Sequence, residues 1–111
     1  MSVENPEVID FVTQDDQGTV ILVMVEGRQW DGSEERIVEL ENKINAYASF
    51  VFEGGLLSKY PHLVGKPVIF ELRSTGLPDA KTAEFLKLVR DRLRTRDIGF
   101  EIRPIGLRPS G

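Results

Sequence analysis

The segment Val20–Val25, with the sequence VILVMV, constrains the fold most strongly because it is apolar at every position. In a β-strand successive side chains point to opposite faces of the sheet, so this strand presents apolar side chains on both faces. Such a strand is expected to be covered on both sides. A chain of 111 residues forms about one domain, and a two-layer domain has helices for only one face of its sheet. The second face of the sheet is therefore a candidate contact surface.

The first half of the chain predicts a β-hairpin followed by a long helix. Strands over Val8–Gln14 and Thr19–Glu26 flank a turn at Asp15–Gly18, whose residues suit turn geometry. Asp31 is predicted to cap helix 1, since Glu34 follows three residues later as in a capping box. Helix 1 is predicted from about Gly32 to Glu53. The pair Gly54-Gly55 then suits its C-terminus.

The second half predicts a loop, a strand, a second helix and a last strand. The predicted bounds are 56–66 for the loop, Pro67–Arg73 for the strand, about Asp79 to Arg96 for helix 2 and Ile98–Ile105 for the last strand. The order β-β-α-β-α-β indicates an α+β two-layer sandwich with a four-stranded mixed sheet. Right-handed crossovers in one direction place both helices on one face. We expect one domain over 1–111, ordered over about 8–105, with loose ends.

Helix 1 carries more apolar surface than one stripe requires. Its core stripe consists of Ile37, Leu40, Ile44, Ala48 and Val51. On a helical wheel Tyr47 lies about 50° from the centre of that stripe and Phe50 about 110°. Either the segment Leu56–Leu63 folds back over these rings, or a partner covers them, most simply a second copy of the chain. The interface candidates are Phe50, Tyr47, Lys43, Arg36 and Trp30, although Trp30 is also a candidate for core packing.

Charge is distributed unevenly along the chain. Residues 1–55 carry twelve acidic and three basic side chains, whereas residues 56–111 carry six acidic and eleven basic ones. This asymmetry favours attraction within the fold, a charged partner, or head-to-tail association. The arginines of helix 2 are Arg90, Arg92, Arg94 and Arg96. They complement the C-terminal helix dipole, and they form two pairs on different sides, which makes nucleic-acid binding an unfavoured alternative.

Residues suited to catalysis or metal binding are scarce. The chain has no cysteine and one histidine, His62, so disulfides and structural zinc sites are excluded. We expect no cofactor, no metal and no catalytic residue. An alternative is a small enzyme or ligand-binding domain with a polar pocket near Asp10, Tyr47 and His62. No apolar run is long enough to cross a bilayer and no secretory signal is expected, which favours the cytoplasm.

Several short motifs follow one another along the chain, and their order and spacing are more specific than any one of them. They are Trp30-Asp31, the pattern K-I-N-x-Y-x-x-F over 43–50, Gly54 and Tyr60-Pro61. Over roughly residues 8–103 the chain resembles a family of small bacterial proteins of unassigned function. The resemblance implies a single α/β domain and implies no reaction, cofactor or catalytic residue. We therefore expect a non-enzymatic protein that acts through protein contact, as a homodimer.

Overall fold

The computed structural model describes residues 11–105, and it confirms the order β-β-α-β-α-β. The strands are β1 (Phe11–Gln14), β2 (Val20–Glu26), β3 (Val68–Thr75) and β4 (Ile98–Ile105). The helices are α1 (Glu34–Phe52), α2 (Gly55–Lys59) and α3 (Ala80–Arg94), and Pro61–Leu63 forms a 3-10 turn. The prediction of a plain loop after helix 1 was wrong, since α2 and the 3-10 turn occupy it. The first residues of the predicted strand, 8–10, lie outside the described residues.

The four strands lie in the sheet in the same order as in the chain, β1-β2-β3-β4. β1 pairs antiparallel with β2, while β2 with β3 and β3 with β4 are parallel. Each parallel pair is joined by one helical crossover, and both crossovers move across the sheet in the same direction. Because such crossovers are right-handed, α1 and α3 lie on the same face, as the sequence predicts.

The core lies between that face and the helices. Alternate residues of the three parallel strands point into it, among them Leu22 on β2, Phe70 on β3 and Phe100 on β4. Leu40 and Ile44 of α1 and Leu86 and Leu93 of α3 complete it. The predicted core stripe of helix 1 is therefore confirmed at Leu40 and Ile44, while Ala48 and Val51 are half-buried. Ile37, at the N-terminal end of the α1 stripe, is only half-buried because it lines a cavity beside α3.

Tyr47 ties α1 to the sheet. Its ring packs edge-to-face on Phe70, with 5.7 Å between ring centroids. Its hydroxyl donates to the backbone carbonyl of Val23 on β2. The whole Tyr47 side chain is thus buried because its hydroxyl has an acceptor inside the fold. A helical wheel does not show such an acceptor.

The segment after α1 folds back over the end of that helix. Leu56 of α2 and Leu63 of the 3-10 turn enter the core. Gly55 lies so close to Phe50 that a Cβ on Gly55 would be 2.7 Å from the ring carbon Cδ1. Glycine is required here by this close approach. Of the two alternatives for the extra aromatic surface, coverage by the chain itself therefore applies to Phe50.

The ends of α1 differ slightly from the prediction. The N-cap is Ser33, whose hydroxyl accepts from the backbone N–H of Arg36 at 3.3 Å. Asp31, the predicted cap, instead accepts from the backbone N–H of Ser33 at 2.9 Å, and that N–H lowers the pKa of Asp31 below its ordinary value. The predicted glycine end is confirmed, since Gly54 has a φ of +89°.

Asp79 caps α3, and removing it should destabilise the fold in a pH-dependent way. Its carboxylate accepts from the backbone N–H of Thr82 at 3.1 Å and from the Thr82 hydroxyl at 2.8 Å. Partial burial raises the pKa of Asp79, but these hydrogen bonds outweigh burial and lower it below its ordinary value of 3.8. Asp79→Ala should lower the free energy of unfolding by about 1 kcal/mol at pH 7, as measured by urea denaturation.

The sign of the pH effect follows from the lowered pKa. Stability from the ionised cap is present above the unfolded pKa and is lost as pH falls through the lower folded pKa. The difference between the wild type and Asp79→Ala should therefore shrink as the pH is lowered from 7 to below 3.8. Asp91→Ala, an exposed change on the same helix, is the control. A difference that stays constant down to low pH would refute the charged cap.

Candidate functional site

Two of the five interface candidates, both on α1, are inside the protein. Tyr47 and Lys43 are both 0% exposed, and the Lys43 ammonium lies 5.4 Å from the centre of the Tyr47 ring. Their predicted position at the edge of a contact surface is thus corrected. The cause is the contacts that hold these side chains, since Tyr47 packs on Phe70 and hydrogen-bonds to β2, and Lys43 lies against the Tyr47 ring.

The other three candidates are also engaged in the fold. Phe50 and Trp30 are partly buried against the core, and the indole N–H of Trp30 is buried without a hydrogen-bond partner among the described residues. The Arg36 side chain is 11% exposed, and it donates to the backbone carbonyl of Gln29 at 2.8 Å. These five residues do not form one exposed surface. A partner contact through Phe50, Arg36 or Trp30 stays a prediction.

The polar-pocket candidates do not converge. Asp10 lies outside the described residues. Tyr47 is buried with its hydroxyl on the Val23 carbonyl, whereas His62 is exposed in the 3-10 turn with its ring against Tyr60, 6.4 Å between centroids. None of the cavities described below is lined by Tyr47 or His62.

A cluster of charged residues around the buried Glu26 lies at the end of β2, and it was not predicted from the sequence. Glu26 is 0% exposed, and its two carboxylate oxygens accept from the Arg28 guanidinium at 2.9 and 2.8 Å. Arg28 also donates to Glu39 of α1 at 2.7 Å. The hydrogen bonds to Glu26 and Glu39 raise the pKa of Arg28. The cluster joins the end of β2 to α1, which is a structural role.

On the helix-free face of the sheet the central side chains are buried. Val23 is 0% and Glu71 3% exposed in the single chain, while Ile21, Val25 and Ile69 stay partly exposed around them. The chain itself therefore covers most of the second apolar face of β2. Less of that face is available to a partner than the sequence alone predicts.

Glu71 organises the charged half of this face. Its carboxylate accepts from Arg73 at 2.8 Å and from Arg103 of β4 at 2.6 Å. Glu71 and Arg73 are two residues apart on one strand and so share a face, but the approach of Arg103 depends on the register of β3 with β4.

An apolar groove separates α1 from α3 on the outer side of the helix layer. It contains cavities of about 160 and 430 Å³ that share the ring of Phe85. Two of the large apolar side chains that line it are exposed, Phe52 at 41% and Leu88 at 64%. The other apolar lining residues are Ile37, Ile44, Ala48, Val89 and Leu93. We call this surface the α1/α3 groove.

The polar rim of the α1/α3 groove differs between its two helices. At the smaller cavity α1 contributes Glu41, and α3 with the turn after it contributes Arg92 and Arg96. The charged residues that line the larger cavity all come from α3 and carry both signs, Lys81, Glu84, Lys87 and Asp91. The Arg96 guanidinium lies 4.0 Å from the centre of the Phe52 ring, a cation–π contact across the end of the groove. At the end nearer Phe52 the groove is thus an apolar channel with an acidic side chain on the α1 rim and basic ones on the α3 rim.

A second groove follows the outer edge of β4. Cavities of about 650 and 330 Å³ adjoin there, between β4 and the α3 residues Ala83, Lys87, Arg90 and Arg94. We call it the β4 groove. The four arginines of α3 and the turn after it therefore divide as the helical spacing predicts, with Arg90 and Arg94 on the β4 groove and the other two on the α1/α3 groove.

Comparison with known proteins gives one match. The model of a family described as a family of unknown function, DUF6572, matches residues 1–106. No curated protein and no solved structure matches the chain. No helix of residues 11–105 has the length and apolar character needed to cross a membrane.

The ion pairs of Glu71 generate a stability prediction. Glu71→Gln removes the charge that binds Arg73 and Arg103, and it should lower the free energy of unfolding by about 1–3 kcal/mol. The cost stays below that of a fully buried pair because both arginines are partly exposed, 35% and 66%. The matched control is Glu101→Gln, an exposed neighbour on β4, which should change stability by less than about 0.5 kcal/mol. Equal effects of the two variants in urea denaturation would contradict this role of Glu71.

Proposed function

The chain belongs to DUF6572, a family of unknown function, and we propose that it is a non-enzymatic protein-contact domain of the bacterial cytoplasm that works as a homodimer. The interface in this proposal is the α1/α3 groove. The supporting observation is the exposed apolar seam between the two helices, in which Leu88 is 64% and Phe52 41% exposed. It replaces the α1 flank around Tyr47 and Lys43, because those two side chains are buried.

The amount of exposed apolar surface favours coverage by another protein. Isolated exposed apolar residues are common, but contiguous ones around a groove are typical of contact sites. Burying one large apolar side chain contributes roughly 1.5–3 kcal/mol, whereas an exposed ion pair contributes about 0–1 kcal/mol. In this dimer the apolar seam therefore supplies the affinity, and the charged rims select the orientation of the two copies.

The rims favour a second copy of the same chain as the partner. α1 and α3 run parallel to each other, since both return from the end of one parallel strand to the start of the next. A two-fold axis along the groove then places α1 of one copy on α3 of the other. The acidic rim at Glu41 meets the basic rim at Arg92 and Arg96 twice in such a dimer. Within one chain the same attraction is already visible between Glu34 of α1 and Lys81 of α3, at 3.2 Å.

The test is the oligomeric state in solution. Leu88→Asp places a charge in the seam and should convert a dimer into a monomer, as measured by light scattering coupled to size exclusion. Leu88 is exposed, so the folded monomer should survive. Val64→Asp is the matched control, since Val64 has a similar exposure of 67% but lies after the 3-10 turn, outside the groove.

The charged rims allow a second test in the same assay. Glu41→Arg and Arg92→Glu should each weaken the dimer, and the double variant should restore it because the rims are complementary again. A wild type that is monomeric up to about 1 mM, a limit that corresponds to about 4 kcal/mol, would overturn the proposal. So would a dimer that survives Leu88→Asp and dissociates with Phe50→Asp, which would place the interface on the α1 flank.

A further inference from the structure

We propose that the β4 groove binds an extended, acidic segment of a partner protein, which adds to the sheet as a fifth strand. This site lies on the edge of the sheet beside α3, away from the α1/α3 groove, so it goes beyond the proposed dimer. The inference is carried by three observations: the backbone groups of the β4 edge, the cavities beside them, and the charges around those cavities.

The backbone groups follow from the register. The N–H of Val20 donates to the carbonyl of Pro67 at 2.8 Å. Since residues along a strand alternate in the side to which their N–H and C=O point, Val68 and Phe70 direct these groups towards β4. Their register partners on β4 then point away from the sheet. The residues with outward N–H and C=O groups are Ile98, Phe100 and Ile102.

Glu101, Arg103 and Pro104 give this edge some protection against added strands, but its outward backbone groups before Pro104 are available for pairing. β4 is eight residues long, and no strand of the described residues pairs with its outer side. Edge strands are commonly kept short or interrupted by proline and inward charges. Here Pro104 stands next to the end of the strand, where its missing N–H removes one outward donor. The three residues before it with outward groups offer a continuous template for strand addition.

The cavities provide space for the side chains of such a strand. The larger one, about 650 Å³, lies between α3 and the middle of β4, and Leu86, Phe100 and Ile102 give it an apolar floor. The smaller one, about 330 Å³, continues along Ile98 and Gly99. A strand on the edge of β4 would therefore have every second side chain beside α3, over apolar surface.

The charges around the groove favour an acidic segment. Lys87, Arg90 and Arg94 of α3 line the cavities against Glu101 and Asp97, while Arg103 of β4, which lines the larger cavity, is already paired with Glu71. The basic side chains on α3 also disfavour pairing of β4 with β4 of a second copy. A two-fold axis through such a pair would bring the Lys87 and Arg90 side chains of both copies together.

The binding test uses a defined probe, a fluorescein-labelled peptide of sequence Val-Thr-Asp-Thr-Val-Thr-Glu, in which the apolar and acidic side chains share one face of the strand, the face that would lie beside α3. Titration with the full chain should raise its polarisation and should be weakened by salt. The same peptide with Lys in place of its acidic residues should bind at least tenfold more weakly. A peptide with N-methyl groups on alternate amides should also lose at least tenfold, because strand addition needs those donors.

Two variants on the same helix separate this site from the dimer interface. Arg90→Glu should weaken the acidic peptide at least tenfold, while Arg92→Glu, whose side chain lines the other groove, should change it by less than twofold. The dimer should be weakened by Arg92→Glu and should be unaffected by Arg90→Glu. Titration of monomeric Leu88→Asp protein keeps this test valid whatever the fate of the proposed dimer.

Amide hydrogen exchange gives a readout at the predicted atoms. Saturating peptide should slow exchange at Ile98, Phe100 and Ile102 at least tenfold and leave Gly99 and Glu101 unchanged, because these two already point towards β3. Four results would overturn the proposal: no polarisation change at about 1 mM protein, equal binding of the N-methylated peptide, equal loss in Arg90→Glu and Arg92→Glu, or protection absent from the three outward amides.

Discussion

The direction of the two helical crossovers constrains the rest of this structure. β2 to β3 and β3 to β4 are both parallel steps to the next strand on the same side. Right-handed connections then place α1 and α3 together on one face. This arrangement creates the seam between the helices, and it places β4 at the edge of the sheet that residues 11–105 form. The strand order also lacks a reversal of winding direction, and it is at such reversals that open α/β sheets usually form ligand crevices.

Much of the fold could be predicted from the periodicity of the sequence. The apolar run of β2, the stripe through Leu40 and Ile44, and the alternation of Ile98, Phe100 and Ile102 each indicated the element that the structure contains. These signals are local and strong because burial is periodic along regular elements. α2 was missed for the opposite reason, since a helix of five residues shows little more than one turn of any pattern.

The surface was harder to predict because it depends on how far side chains reach. Tyr47 and Lys43 lie off the centre of the helix stripe, yet both are buried. Tyr47 gains a carbonyl acceptor on β2 and an edge-to-face contact with Phe70, and neither partner is visible in the local sequence. Glu71 is a similar case, because its contact with Arg103 exists only in one register of β3 and β4. Long-range register was thus the information that the sequence did not supply.

The charge asymmetry along the chain becomes a charge asymmetry in space. Because the strands lie in the sheet in chain order, the described part of the acidic first half, with α1, lies on one side of residues 11–105, and the described part of the basic second half, with α3 and β4, lies on the other. A fold with a reversed or interleaved strand order would have mixed the two halves. The same separation has two consequences at different surfaces. Across the α1/α3 groove it is the basis of the complementary rims in the proposed two-fold pair, and along β4, which belongs to the basic half, it favours the proposed acidic strand over a second copy.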